Sequence, residues 1–359
     1  MKTPSQIEAA LDALRFKLRL IAPFLADPDV QEIAVNWLGE VVLWRNGAWE
    51  HVGVPGLDYS MLEAIGENLA NFSSKPFDRE NTSLSAHLPS GERIEMTHPP
   101  TSPEHLIYLN IRKHSSKAFP HSELAAKGYY ERTRHEFSLN LTDERREFYA
   151  QYISADELAL WQLASTGRWA LFMERSVALF QNIIVSGATG SGKTSYLRSL
   201  VNLVPSDQRI LTVEDTPEMP LENHPNSQAL FYRRDGEGEG DSVEGVLRSV
   251  MRKTPTRVYL AELRGPEALY FLSGVLSSGH PGGGTTVHSD SPKGAISRCA
   301  LLIKSSPTGQ GIELETIMNL LYMTVNVVVQ LKFEMHEAPI GRLVPSIYYD
   351  PMYRLSLMG

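Results

Sequence analysis

Asn182-Ile183-Ile184-Val185-Ser186-Gly187-Ala188-Thr189-Gly190-Ser191-Gly192-Lys193-Thr194-Ser195 is the stretch that decides the fold. The run from Asn182 to Ser186 reads as a buried strand, and a helix is expected from Lys193 to Leu203. Between them, Gly187, Gly190 and Gly192 stand where the backbone has to turn tightly, and the loop fits G-x-x-x-x-G-K-[ST]. Such spacing makes an anion cradle, with several N–H groups aimed at one point and a helix N-terminus behind them. Gly187, Ala188, Thr189, Gly190, Ser191, Gly192, Lys193, Thr194 and Ser195 are therefore the expected nucleotide-binding residues. Lys193 would neutralise β- and γ-phosphate oxygens, the Thr194 hydroxyl would ligate Mg²⁺, and Ser195 would donate to the α-phosphate. A Gly-rich turn without a ligand can match the same pattern, but the strand before it and the helix after it supply the context that phosphate binding needs.

Working outward, the strand Arg209 to Val213 leads into Glu214 and Asp215, with Glu218 close behind, and the strand Arg257 to Ala261 ends in Glu262. Strands alternating with helices predict an α/β fold with a parallel, doubly wound sheet, of the RecA-like P-loop NTPase kind. Carboxylates at the ends of parallel strands face the ligand crevice. Glu262 is the first choice to orient or deprotonate a lytic water. Glu214 is a second catalytic candidate, and Asp215 could hold Mg²⁺ through water; which carboxylate is the principal one stays open. The segment Ser277 to His288 combines four glycines with two histidines and two threonines, which suggests backbone and hydroxyl donors brought close to a phosphate. His288, after a short Thr-Thr-Val strand, suits a γ-phosphate sensor. His280 and His288 have no further ligands at metal-binding spacing.

At 359 residues the chain has room for more than one domain, and its formal net charge of −8 argues against a protein that coats nucleic acid. Cys299 is the single cysteine, which excludes an internal disulfide or a cysteine-based zinc site and suits the cytoplasm. Met1 to Leu20 mixes charges among its apolar residues and reads as an amphipathic helix rather than a signal peptide. The uncharged stretch Thr316 to Leu331 falls short of the ~18–20 apolar residues of a spanning helix. Short β-branched and aromatic runs around Gly39 and Asn46-Gly47, a helix from Ser60 to Phe72, and strands up to Ile111 predict a smaller α+β domain over residues 1–112. Residues 113–152, rich in charge and poor in periodicity apart from short helices suggested around Ser122 to Tyr130 and Asp143 to Tyr152, read as a long linker, with the P-loop domain following over 153–359. The acidic, Gly-rich run Asp235 to Asp241 reads as a solvated surface loop.

With these residues in hand, the chain resembles the secretion (traffic) ATPases of type IV secretion and conjugation systems, in the wider type II/IV secretion ATPase superfamily. Four motifs carry the resemblance in order: Gly187 to Thr194, the acidic box Leu211 to Glu218, the modified second motif Leu260 to Ala268, and the His box Gly279 to His288. Asp29 to Asn36, Pro89 to Ile94 and Asn110 to Lys113 are similar to the family's N-terminal domain. The resemblance implies that Arg93 and Arg112 reach the nucleotide phosphates from that domain. Arg248 and Arg252, i,i+4 on a helix, could face a phosphate across a subunit boundary. It further implies Mg²⁺-dependent ATP hydrolysis by a homo-hexamer, peripheral at the cytoplasmic face of the bacterial inner membrane. There the ring would work with inner-membrane components of a secretion apparatus to power substrate translocation or pilus biogenesis. A nucleic-acid motor on the same core would need a basic channel, so direct nucleic-acid binding stays open but disfavoured by charge. A scaffold that binds nucleotide without turning it over is at odds with Lys193, Thr194, Glu262 and His288 together.

Overall fold

The computed structural model describes residues 4–45, 47–113, 119–233, 242–277, 279–334 and 341–358. Asn46, Ser278 and the acidic run Asp235 to Asp241 lie outside the described residues. The chain divides into one unit over Met1–Ser116 and another over Lys117–Gly359.

In the first unit, turn residues break the sequence into short strands: β1 Val30–Val35, β2 Glu40–Arg45, β3 Ala48–Gly53, β4 Ser83–His87, β5 Arg93–Thr97 and β6 Tyr108–Arg112. They form one antiparallel sheet in the order β3-β2-β1-β6-β5-β4. The helix Tyr59–Ser73 begins at Asp58, whose carboxylate accepts from Met61 N at 2.8 Å, and it buries Leu62, Ile65 and Leu69 at helical spacing. Those side chains share a core with Leu14, Ile33, Val41, Ile94 and Ile111.

In the second unit, β7 Arg134–Glu136, β8 Ile183–Gly187, β9 Ile210–Glu214, β10 Ser227–Phe231, β11 Arg257–Leu260, β12 Gly284–Val287, β13 Val327–Phe333 and β14 Arg342–Tyr349 make one sheet ordered β10-β9-β11-β12-β8-β13-β14-β7. All its pairs are parallel except β13 with β14. The central strands are apolar at nearly every position because alternate residues enter opposite layers. Ile184, Val258, Leu260 and Val328 pack under the helices Val243–Val250, Pro292–Ser305 and Leu314–Thr324. Ile183, Val185, Tyr259, Val327 and Val329 pack under Trp169–Ala178 and Lys193–Val201. Each such side chain, removed from water, contributes roughly 1.5–3 kcal/mol. Together these two layers fix the height of every strand end.

The linker expected over 113–152 is corrected here. From Phe119 onward the chain is built into the second unit. β7 extends the sheet along β14, and Thr133 Oγ1 donates to Val344 O at 2.6 Å. Arg146 is buried against Asp350, Nη1 to Oδ1 2.7 Å, while Asp350 also accepts from Ser138 N and Tyr353 N, each at 2.9 Å. Nearby, His121 meets the Tyr130 hydroxyl at 2.8 Å, and that hydroxyl meets the hydroxyl of Tyr196, on the helix Lys193–Val201, at 2.6 Å. Attachment therefore runs through isolated anchors and buried polar groups. A segment held in that way leaves no periodic apolar stripe to read in the sequence.

Candidate active site

The loop after β8 depends on glycine for a steric reason. A Cβ on Gly187 would come within 2.7 Å of Leu331 O on the neighbouring strand and 2.5 Å of Ser191 Oγ. Gly190 and Gly192 take left-handed φ values of +77° and +91°, which turn the chain back into the helix Lys193–Val201. That helix starts with Tyr196 N bonded to Gly192 O at 2.9 Å, so the N–H groups before Tyr196 lack helical partners and its positive end faces the loop. Ala188, Thr189 and Gly190 are exposed, Ser191 is buried with its hydroxyl on Ala188 O at 2.8 Å, and Thr194 and Ser195 are half-buried in the first turn.

The Lys193 ammonium lies over this loop, donating to Gly187 O at 2.9 Å and Ala188 O at 3.0 Å. His288 Nδ1 stands 3.2 Å from the same ammonium. An ammonium has no lone pair, so Nδ1 accepts and the imidazole proton sits on Nε2. His288 Nε2 is in turn 2.8 Å from Glu262 Oε1, at ion-pair distance but without hydrogen-bond alignment. The other Glu262 oxygen accepts from Arg264 Nη2. Glu262 is thus mostly buried, 16% exposed, and carries one carboxylate oxygen with no hydrogen-bond partner among the described residues. A buried acceptor in that position is fitted to take a water proton.

Strand register explains why these groups meet. Val287 lies opposite Ser186 and Leu260 opposite Val213, so Gly187, His288, Glu262 and Glu214 all leave the sheet at its C-terminal edge. Glu214, however, differs from Glu262 in its surroundings. It is buried, and it accepts from Thr212 Oγ1 at 2.6 Å, Glu218 N at 2.7 Å and Met219 N at 2.9 Å. Burial raises its carboxyl above the ordinary glutamate value, against the opposing pull of those three donors. Its oxygens brace the following loop. Asp215 is half-buried and acts electrostatically on Arg264.

Gly283 and Gly284 of the His box pack against neighbouring strands, away from the P-loop edge. Gly284 lies opposite Ile183, at the far end of the strands from the P-loop. A Cβ on Gly283 would come within 2.2 Å of Val258 O, and one on Gly284 within 2.7 Å of Ile183 O, so these glycines allow strands to approach. Thr286 Oγ1 donates to Ala261 O at 2.8 Å inside the sheet. Of that segment, His288 reaches the P-loop edge.

Among the described residues no three His, Cys, Asp or Glu side chains gather to hold a metal. The donors present nonetheless suit Mg²⁺, which takes one or two protein oxygens together with substrate phosphates and water. Thr194 beside Lys193 and the Glu262 oxygen that accepts no hydrogen bond among the described residues are of that kind.

Arg93 and Arg112 belong to the first unit, where they sit directly opposite each other on β5 and β6, and Arg112 Nε is 3.8 Å from Glu32. Arg248 and Arg252 are exposed, and Arg248 faces Glu244 at 3.9 Å. Sequence reasoning missed two residues of the second unit: Arg264, whose place two residues after Glu262 was a usable signal, and Arg342, which lies against the loop with nothing local to mark it.

The family model described as type II/IV secretion system protein matches residues 156–332. The type IV secretion system protein VirB11 of Brucella suis biovar 1 (strain 1330) is 36% identical over 348 residues, covering 96% of this chain and 92% of that protein. Among solved structures, the VirB11 ATPase from the Brucella suis type IV secretion system in complex with sulphate aligns with a TM-score of 0.54 and 34% identity over 98% of each chain. The pilus retraction motor PilT with bound ADP aligns with a TM-score of 0.54 at 14% identity, covering 96% of this chain and 85% of that one, a likeness of fold.

Proposed function

The chain belongs to the type II/IV secretion system protein family, as a type IV secretion ATPase, and on that premise we propose that it hydrolyses Mg²⁺-bound ATP at the P-loop to drive translocation or pilus biogenesis. The observation that carries the catalytic reading is the chain of contacts Lys193, His288, Glu262, Arg264 across the C-terminal edge of the sheet. In this reading the loop N–H groups and Lys193 hold the β- and γ-phosphates. Glu262 orients water and accepts its proton as the oxygen attacks the γ-phosphorus and the bond to the β–γ bridging oxygen breaks. His288, sharing Lys193 and Glu262, registers whether the γ-phosphate is present. Thr194, with Asp215 or Glu262 through water, would hold Mg²⁺, which supplies charge neutralisation at the phosphate oxygens.

Work on a substrate requires ATP and ADP to favour different arrangements of the protein. Assembly as a homo-hexamer, peripheral at the inner membrane beside other components of the secretion apparatus, and cationic help from Arg93 and Arg112 are parts of the proposal that rest on family membership. Among the described residues no helix is long and apolar enough to cross a membrane. The direct test is ATP turnover by purified protein with and without Mg²⁺ and with Lys193→Ala: activity should need the metal and vanish in the variant. Full activity of Lys193→Ala would remove the P-loop from the chemistry.

A further inference from the structure

Arg342 opens β14 opposite Phe333, the last residue of β13. Its side chain lies on the final glycine of the P-loop: a Cβ on Gly192 would come within 3.0 Å of Arg342 Cδ and 3.1 Å of Nε. The guanidinium reaches Gly190 O at 3.5 Å, the outer limit of a hydrogen bond, and stands 5.2 Å from the centre of the Phe333 ring. Its Nε is buried without a hydrogen-bond partner, and among the described residues no carboxylate pairs with it. Glu334, the acid beside Phe333, is engaged by Lys332 at 2.8 Å and Arg132 at 3.5 Å.

Arg342 and Lys193 are therefore two cations beside the positive end of one helix. Like charges gathered there repel each other, and an anion at the loop converts the repulsion into attraction. Which part of the anion meets Arg342 follows from the strand order. His288 and Glu262 follow β12 and β11, on one side of β8, while Arg342 comes from the β13–β14 pair on the other. A triphosphate with its γ end at His288 turns its α end toward β13 and β14.

We propose that Arg342 binds the α-phosphate end of the nucleotide, on the side of the P-loop opposite His288, so that it grips ATP and ADP alike. This rests on the reading of the site as an ATPase centre. The guanidinium is oriented by Phe333 and Gly192, which favours a directed contact over a diffuse charge.

The test is calorimetric binding of ADP and steady-state ATP hydrolysis by the full chain, for the parent, Arg342→Gln and Arg342→Lys. Arg342→Gln should raise the Kd for ADP and the KM for ATP by a similar factor of about tenfold, the loss of one charge-assisted contact. The loss should fall on KM rather than kcat. Arg342→Lys, which keeps the stem on Gly192 and the charge, should recover part of it and also guards against a folding defect in the Gln variant. Affinities within about twofold of the parent in both variants would overturn the proposal, as would unchanged ADP affinity with a collapsed kcat, which would put Arg342 at the γ end. A parent protein that neither binds ADP nor turns over ATP would instead sink the ATPase reading itself, and this inference with it.

Discussion

Exchanging either of two carboxylates for its amide separates the chemistry of the site from its architecture. Glu262→Gln keeps the shape of a side chain that is 16% exposed and leaves an oxygen to accept from Arg264, but it removes the base that faces the site. Loss of a general base typically costs about 10²- to 10⁴-fold in rate, or about 2.7–5.4 kcal/mol of transition-state stabilisation. Nucleotide affinity and melting temperature should stay near those of the parent, because Lys193 holds its loop contacts without Glu262. Glu214→Gln should keep both rate and stability, because Glu214 is engaged by Thr212 Oγ1, Glu218 N and Met219 N rather than facing the site. The amide oxygen has lone pairs for both Glu218 N and Met219 N, and the amide nitrogen can donate to Thr212 Oγ1, so all three contacts have a counterpart and stability should change by no more than about 1 kcal/mol. Glu214→Ala leaves two backbone donors unpaired and should cost about 2–6 kcal/mol at about 1–3 per group. The assay is single-turnover hydrolysis with saturating ATP, run beside urea unfolding. Glu214→Gln losing rate as severely as Glu262→Gln, or Glu262→Gln staying within about fivefold of the parent, would refute the assignment of roles.

Because burial raises the Glu214 carboxyl, the protonated form favours the fold: its contribution is fully present below the unfolded-state value and is lost as pH rises through the higher folded-state value. Urea midpoints of Glu214→Gln should therefore gain on the parent as pH is raised from about 4, and parallel pH profiles would contradict this. Asp350→Ala leaves Arg146 buried without its carboxylate, keeping only the Ser138 carbonyl as acceptor, and should cost about 3–5 kcal/mol, with faster amide exchange over Arg134–Ala150; exchange unchanged there would mean that the segment is not held by this pair. Arg112→Ala removes both a like charge opposite Arg93 and the exposed pairing with Glu32, so the first unit's stability should change by no more than about 1 kcal/mol while ATP turnover falls; turnover that stays the same would exclude Arg112 from the reaction.

The central sheet was legible because its strands are buried on both faces and read as short apolar runs, each punctuated by the residue type its end requires. Gly187, Glu262 and His288 could be located in this way, since register then fixes them at one edge. Other features were hidden for definite reasons. The His-box glycines looked like a phosphate loop because glycine that admits a ligand and glycine that admits a neighbouring strand are identical in sequence; the 2.2 Å approach to Val258 O distinguishes them. Glu214 and Glu262 both follow apolar runs, and what separates them is which backbone donors the next loop turns inward. Arg342 lies about 150 residues from the loop it covers, a non-local contact with no local periodicity to announce it. The segment before Asp156 read as a linker because its anchors are single groups such as Arg146 and His121, although its two short helices, His121–Ala126 and Asp143–Ala150, fall where the sequence suggested them.

The contact between Tyr130 and Tyr196 has a mechanical consequence. Tyr196 sits one turn into the helix that starts at Lys193, and Tyr130 lies in the first stretch of chain that enters the second unit. The hydroxyl pair, 2.6 Å apart, is a rigid tie between the stretch around Tyr130 and the helix behind the glycine loop, so within the second unit neither shifts without straining the other.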